Sequence, residues 1–206
     1  MSATATPATQ DRSDFRTVTT GGALVGVATG VAVVLFVAAS RTFTAATLRG
    51  GVEALVVLAA GVVVAFFPAL RTAARGTEGI AGAAAVGLVG TVVFSAIDIV
   101  LLRPFNAYPW TWDAIGGGST WWYLPVWWML GTFLAWMGGI VTAVHAARGG
   151  AEATLGRSAL PAVAGAVVIA AIVRLAGLAV SLPAATGGAF TIVLAALALV
   201  ALARKG

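Results

Sequence analysis

Apolar residues along this chain come in six runs, separated by short stretches that hold most of the charge. The runs cover about Gly21 to Ser40, Val52 to Leu70, Gly79 to Leu102, Trp121 to His145, Ala159 to Ser181 and Gly187 to Ala203. A helix needs about 20 residues to cross ~30 Å of hydrocarbon, and each run approaches or meets that length. Backbone amides cannot be left unpaired in lipid, so the runs read as helices despite their many β-branched valines. The predicted fold class is therefore all-α, a polytopic membrane protein whose six transmembrane helices form one bundle over residues 21–206. Residues 1–20, rich in Ala, Thr, Ser and Pro, are expected to form a disordered cytoplasmic head. The first run exceeds a signal-peptide core in length, and Asp11 and Asp14 balance Arg12 and Arg16 before it. An uncleaved first helix is expected on both grounds.

Composition agrees: 60% of the 206 residues are hydrophobic and 9% are charged, more apolar surface than a soluble domain of this size buries. The net charge of +5 arises from basic residues placed at the ends of runs, not in a continuous patch, which argues against nucleic acid as a partner. Their distribution also sets an orientation. Arg12, Arg16, Arg71, Arg75, Arg148, Arg157, Arg204 and Lys205 fall on one side, whereas Arg41, Arg49 and Arg103 fall on the other. The positive-inside rule then predicts both termini in the cytoplasm, with the aromatic loop between the third and fourth helices on the outer face. The expected location is the plasma membrane (a bacterial inner membrane). The chain has no Cys, which removes disulfides, thiolate metal sites, iron–sulfur clusters and thiol catalysis together.

Small residues recur at four-residue spacing: Gly22, Gly26 and Gly30 in the first run, Ala83 and Gly87 in the third, Gly131, Ala135 and Gly139 in the fourth. Such faces let helices approach closely in lipid, where hydrophobic drive between helices is weak. Packing within one chain is the expectation, and a homo-oligomer seam is the alternative.

In the third run this pattern continues as a stripe: Ala83, Gly87, Thr91, Ser95 and Asp98 share one side of a helix. An ionised carboxylate facing hydrocarbon costs at least ~2.5 to 3.5 kcal/mol, so the stripe is expected to face the bundle interior and Asp98 to have a partner. Arg174 is the first choice. With the helices ending at Leu102 and Ser181, Asp98 and Arg174 would stand about 6 Å and about 10 Å below the outer helix ends. Arg103, folding back from the helix end, is the competitor. Glu53 is expected to pair with Arg49 at the surface.

Arg103-Pro104 ends the third helix, Pro109 keeps the next stretch extended, and Gly116, Gly117 and Gly118 form a bend. Phe105, Tyr108, Trp110 and Trp112 suit an interfacial belt, with a ligand-binding lid as the second reading. Trp127 and Trp128 lie deeper and point to different sides, so one of them should turn inward. Asp98, Arg174, Arg103, Asp113, Tyr123 and Trp127 together form the candidate ligand-binding or ion-pair site.

Several chemistries drop out. The single Lys205 lies at the tail, which rules out a retinal linkage, and His145 alone cannot supply two haem ligands. Ser119 and His145 are separated by about 39 Å of helix, too far for a catalytic dyad. HExxH, EF-hand and P-loop patterns are missing, so no metal, cofactor or catalytic residue is assigned. The expected function is a non-enzymatic integral membrane subunit or scaffold that binds a lipid, pigment or partner helix through the outer aromatic and ionic region. A small transporter or channel using Asp98 and Arg174 is one alternative. A lipid-modifying enzyme with Asp98 or Asp113 as base is another. The expected partners are membrane lipid and, in addition, other membrane subunits or a second copy of the chain.

Overall fold

A computed structural model describes residues 11–105, 123–149 and 154–204. Among these residues the chain forms six helices and no strand: α1 (Phe15–Thr42), α2 (Ala46–Arg71), α3 (Thr77–Ile97, continued by a π-helical turn over Asp98–Leu102), α4 (Tyr123–Gly149), α5 (Leu155–Leu175) and α6 (Leu182–Ala203). All six are long and apolar enough to cross a membrane, from 21 to 28 residues. The chain is thus an all-helical, multi-pass membrane protein.

Part of the head expected to be disordered is ordered. Residues 15–20 form the first turns of α1, started by Asp14 as the N-cap. Thr17 donates twice to that carboxylate, from its hydroxyl at 2.7 Å and from its amide at 3.1 Å. These bonds favour the ionised form and hold the Asp14 carboxyl below its ordinary value of 3.8. Because the folded-state value is lowered, the capping contribution is present above pH 3.8 and fades as pH falls through the lowered value. Amide exchange at Thr17 is expected to accelerate across that acidic window, and Asp14→Asn, which keeps an acceptor, is expected to flatten the dependence.

Residues 11–13 dock onto the turn between α2 and α3. The N-cap of α3 is Gly76, which has no side chain to satisfy the orphan amides of the first turn. Asp11 does so from a distance. Its carboxylate accepts from the amides of Arg75 at 3.0 Å, Gly76 at 2.9 Å and Gly79 at 2.9 Å. The Arg12 amide donates to Thr72 O at 2.8 Å, and the Ser13 hydroxyl donates to Glu78 Oε1 at 2.7 Å. Glycine at 79 is required for this approach, since a Cβ there would stand 2.8 Å from Asp11 Cγ and 2.7 Å from Ala74 Cα. Asp11→Ala is expected to destabilise the protein by about 1–2 kcal/mol, the scale of a lost N-cap. Faster hydrogen exchange confined to residues 75–79 is the measurement that checks it.

The last two helices differ from the apolar runs. At the end of α5, Gly177 takes a φ of 68°, a left-handed conformation that suits glycine. The Gly177 amide then donates to Arg174 O and the Leu178 amide to Val173 O, which terminates the helix. The fifth helix therefore ends at Leu175, not Ser181. The sixth starts at Leu182, not Gly187, with Pro183 in the first turn, where its missing amide costs nothing.

The small-residue faces are used within the chain. α1 runs parallel to α3: Gly21 meets Val86, Gly26 meets Gly90 and Val93, and Gly30 meets Ile97. α3 runs antiparallel to α4, with Gly87 on Gly131 and Ala135 and Gly139 beside Ile80 and Ala83. Gly138 of α4 lies against the Ala65 carbonyl of α2, and Phe190 of α6 covers Gly61. The main core sits between α2, α4, α5 and α6 around Phe66, Leu134, Val141, Phe190 and Leu194. These contacts bring Arg71, Arg75 and Arg148 to one end of the bundle and leave the π turn at the other.

Candidate functional site

The stripe on α3 is buried along its whole length, through Ala83, Gly87, Thr91 and Ser95 to Asp98. Its hydroxyls turn back on their own helix, Thr91 donating to Leu88 O at 2.8 Å and Ser95 to Thr91 O at 2.7 Å. Asp98, at 0% exposure, is the charge that needs a partner from elsewhere.

Arg103 supplies one, and the π turn makes this possible. In an α-helix, residues five apart diverge by about 140° around the axis. Here the backbone bond runs from the Arg103 amide to Asp98 O at 2.9 Å, closing a wider turn that swings Arg103 toward the carboxylate. Arg103 Nε then lies 3.4 Å from Asp98 Oδ2, with the arginine side chain 30% exposed. That distance exceeds the 2.7–2.9 Å of a tight charge-assisted bond, so the contact is mainly Coulombic.

The expected partner, Arg174, is not brought to Asp98. Because α5 stops at Leu175, Arg174 sits exposed in the last turn of the span instead of deeper within it. α5 also packs on α6, with smaller faces against α2 and α4, and presents no packing face to α3. Glu53 departs from expectation too: it is buried in the second turn of α2, and no Arg49 pair forms among the described residues. Tyr123 is the first residue of α4. Asp113 and the aromatic segment over 106–122 lie outside the described residues.

Trp127 is the tryptophan that turns inward. Its ring meets Phe94 edge to face, at 5.9 Å between centroids and 70° between planes. It remains 40% exposed because it borders a partly open cavity of about 1010 Å³ lined by α1, α2, α3, α4 and α6. Phe36, Val57, Phe94, Trp127, Leu134 and Phe190 are among the walls, and Ser40 and Arg41 stand at the rim. The few hydroxyls on the wall are spent on their own helices, Thr29 donating to Val25 O at 2.8 Å and Thr191 to Gly187 O at 2.9 Å. A ligand therefore meets hydrocarbon on nearly every side and a cation at the mouth. The volume lies at the upper limit of ordinary ligand pockets, about 300–1,000 Å³.

Among the described residues no three His, Asp or Glu side chains cluster for a metal. His145 bonds the Val141 carbonyl of its own helix at 2.8 Å, near the end remote from the π turn. Compared with known proteins, the chain matches no family model, no curated protein and no solved structure.

Proposed function

We propose that this protein is a lipid-binding subunit of the plasma membrane (a bacterial inner membrane), with both termini cytoplasmic. It houses the hydrocarbon of a membrane lipid in the cavity between α1, α2, α3, α4 and α6. The observation that carries this reading is the 1010 Å³ cavity with its apolar wall. The orientation rests on the excess of basic residues at the Arg71 and Arg148 end. Passage of a polar solute has less support, since the wall offers no free hydrogen-bonding row.

Native mass spectrometry after mild solubilisation tests the reading directly, with a stoichiometric lipid expected on the wild-type chain. Gly188 lines the cavity and a Cβ there would meet nothing within 4 Å, so Gly188→Trp narrows the cavity without a backbone clash. The variant is expected to fold normally and to carry less of the adduct. A wild-type chain that carries no lipid in any mild detergent would sink the proposal, and a co-purifying protein in place of the lipid would favour the scaffold role.

A further inference from the structure

The cavity has a neighbour. A groove of about 340 Å³ runs along the outside of the α1–α2 seam, bordered by the exposed side chains of Val31, Leu35 and Leu55. Thr29 and Ala32 of α1 and Val56, Ala60 and Val64 of α2 line both the groove and the inner cavity. The partition between them is therefore one side chain thick. All five of these residues are half-buried.

We infer that this seam is a lateral slot through which a bilayer lipid inserts its acyl chain into the cavity. The inference rests on the lipid-binding reading and adds the route and the source of the ligand.

Three observations support it. First, α1 is held differently by its two neighbours. Toward α3 it presents glycines so close that a Cβ on Gly26 would stand 2.7 Å from the Gly90 carbonyl oxygen. Toward α2, at the level of the slot, it presents the loosely packed wall just described. Second, the seam is fastened above and below the slot. Residues 43–45 join the two helices at one end, and Arg71 Nη2 donates to Thr20 Oγ1 at 3.3 Å at the other. Parting is thereby confined to the middle of the spans, the depth at which acyl chains lie. Third, the one polar wall residue, Thr29, has its hydroxyl bonded to Val25 O, so a passing hydrocarbon displaces no hydrogen bond. A water-borne polar ligand gains nothing from such a path.

The absence of Cys makes the test clean. Ala32 and Val56 are equidistant from the α1–α2 link, so Ala32→Cys combined with Val56→Cys places a thiol on each side of the slot. The purified double variant, oxidised or reduced, is reconstituted in phosphatidylethanolamine and phosphatidylglycerol vesicles. The vesicles contain a phosphatidylglycerol with a diazirine on its acyl chain, and labelled positions are mapped by peptide mass spectrometry. The reduced protein is expected to be labelled at Phe94 and Trp127 inside and at Leu55 outside. The oxidised protein is expected to lose the inner labels and keep the outer one. Ala60→Phe narrows the slot without a disulfide and is expected to give the same loss. Equal inner labelling of blocked and open forms overturns the slot while leaving lipid binding intact. No inner labelling of any form, wild type included, overturns the lipid-binding reading itself.

Discussion

Replacing Arg103 with methionine is expected to destabilise the bundle by about 3 kcal/mol, the lower end of the range for breaking a buried ion pair. Asp98 is fully enclosed and faces Arg103 Nε at 3.4 Å, so the variant leaves a carboxylate without that guanidinium in a low-dielectric surround. The lower end applies because Arg103 is 30% exposed and solvent already screens part of the attraction. Asp98→Asn removes the charge but keeps the shape, and is expected to cost less. Combining the two should restore most of the loss, since neither charge remains to be compensated. Arg174→Met, at an exposed helix end, is expected to stay within about 0.5 kcal/mol of wild type. Thermal unfolding in detergent, followed by circular dichroism, measures all four. Equal damage from Arg174→Met and Arg103→Met would show that the acid has been given the wrong partner.

Gly138→Ala carries the second large effect. Alanine in place of glycine gains about 1 kcal/mol of helix propensity, so on local grounds the change should stabilise α4. Packing opposes it. A Cβ at position 138 would collide with the Ala65 carbonyl of α2, a backbone atom that no rotamer change can move aside. Overpacking of this kind costs about 1–3 kcal/mol, and a clash with main chain belongs at the upper end, so a net loss of about 2 kcal/mol is expected. Gly51→Ala in α2 is the matched control, since nothing lies within 4 Å of its Cβ position. It should raise the melting temperature where Gly138→Ala lowers it.

Much of the architecture is legible from apolar run lengths alone, because lipid admits only helices at such lengths. The burial of Asp98 is equally legible, since its stripe of small and hydroxylated neighbours leaves no other face for it. Its partner is harder to read. Assigning Arg174 required the fifth helix to reach Ser181, whereas Gly177 stops it short. That glycine and the following Pro183 are the signals that would have set the boundary, and uninterrupted hydropathy across them outweighed both. Arg103 approaches through a π turn, which no residue pattern in DIVLLR announces. The cavity is invisible in sequence for a different reason: valine and alanine look alike whether they touch a neighbour, a lipid or a void. Only Trp127, deeper than an interfacial belt, hinted at an internal space.

The borrowed cap at Asp11 ties the start of the chain to the third helix, and this orders biogenesis. Made before the turn it docks on, the segment around Asp11 has no binding site until the Arg75 to Gly79 turn has been made and has returned to the same membrane face. α1, α2 and α3 thus close as a single subassembly, clasped by that carboxylate, onto which the later helices are laid. Removing the Asp11 carboxylate touches none of the six spans, yet it unfastens this clasp and leaves the third helix to fray.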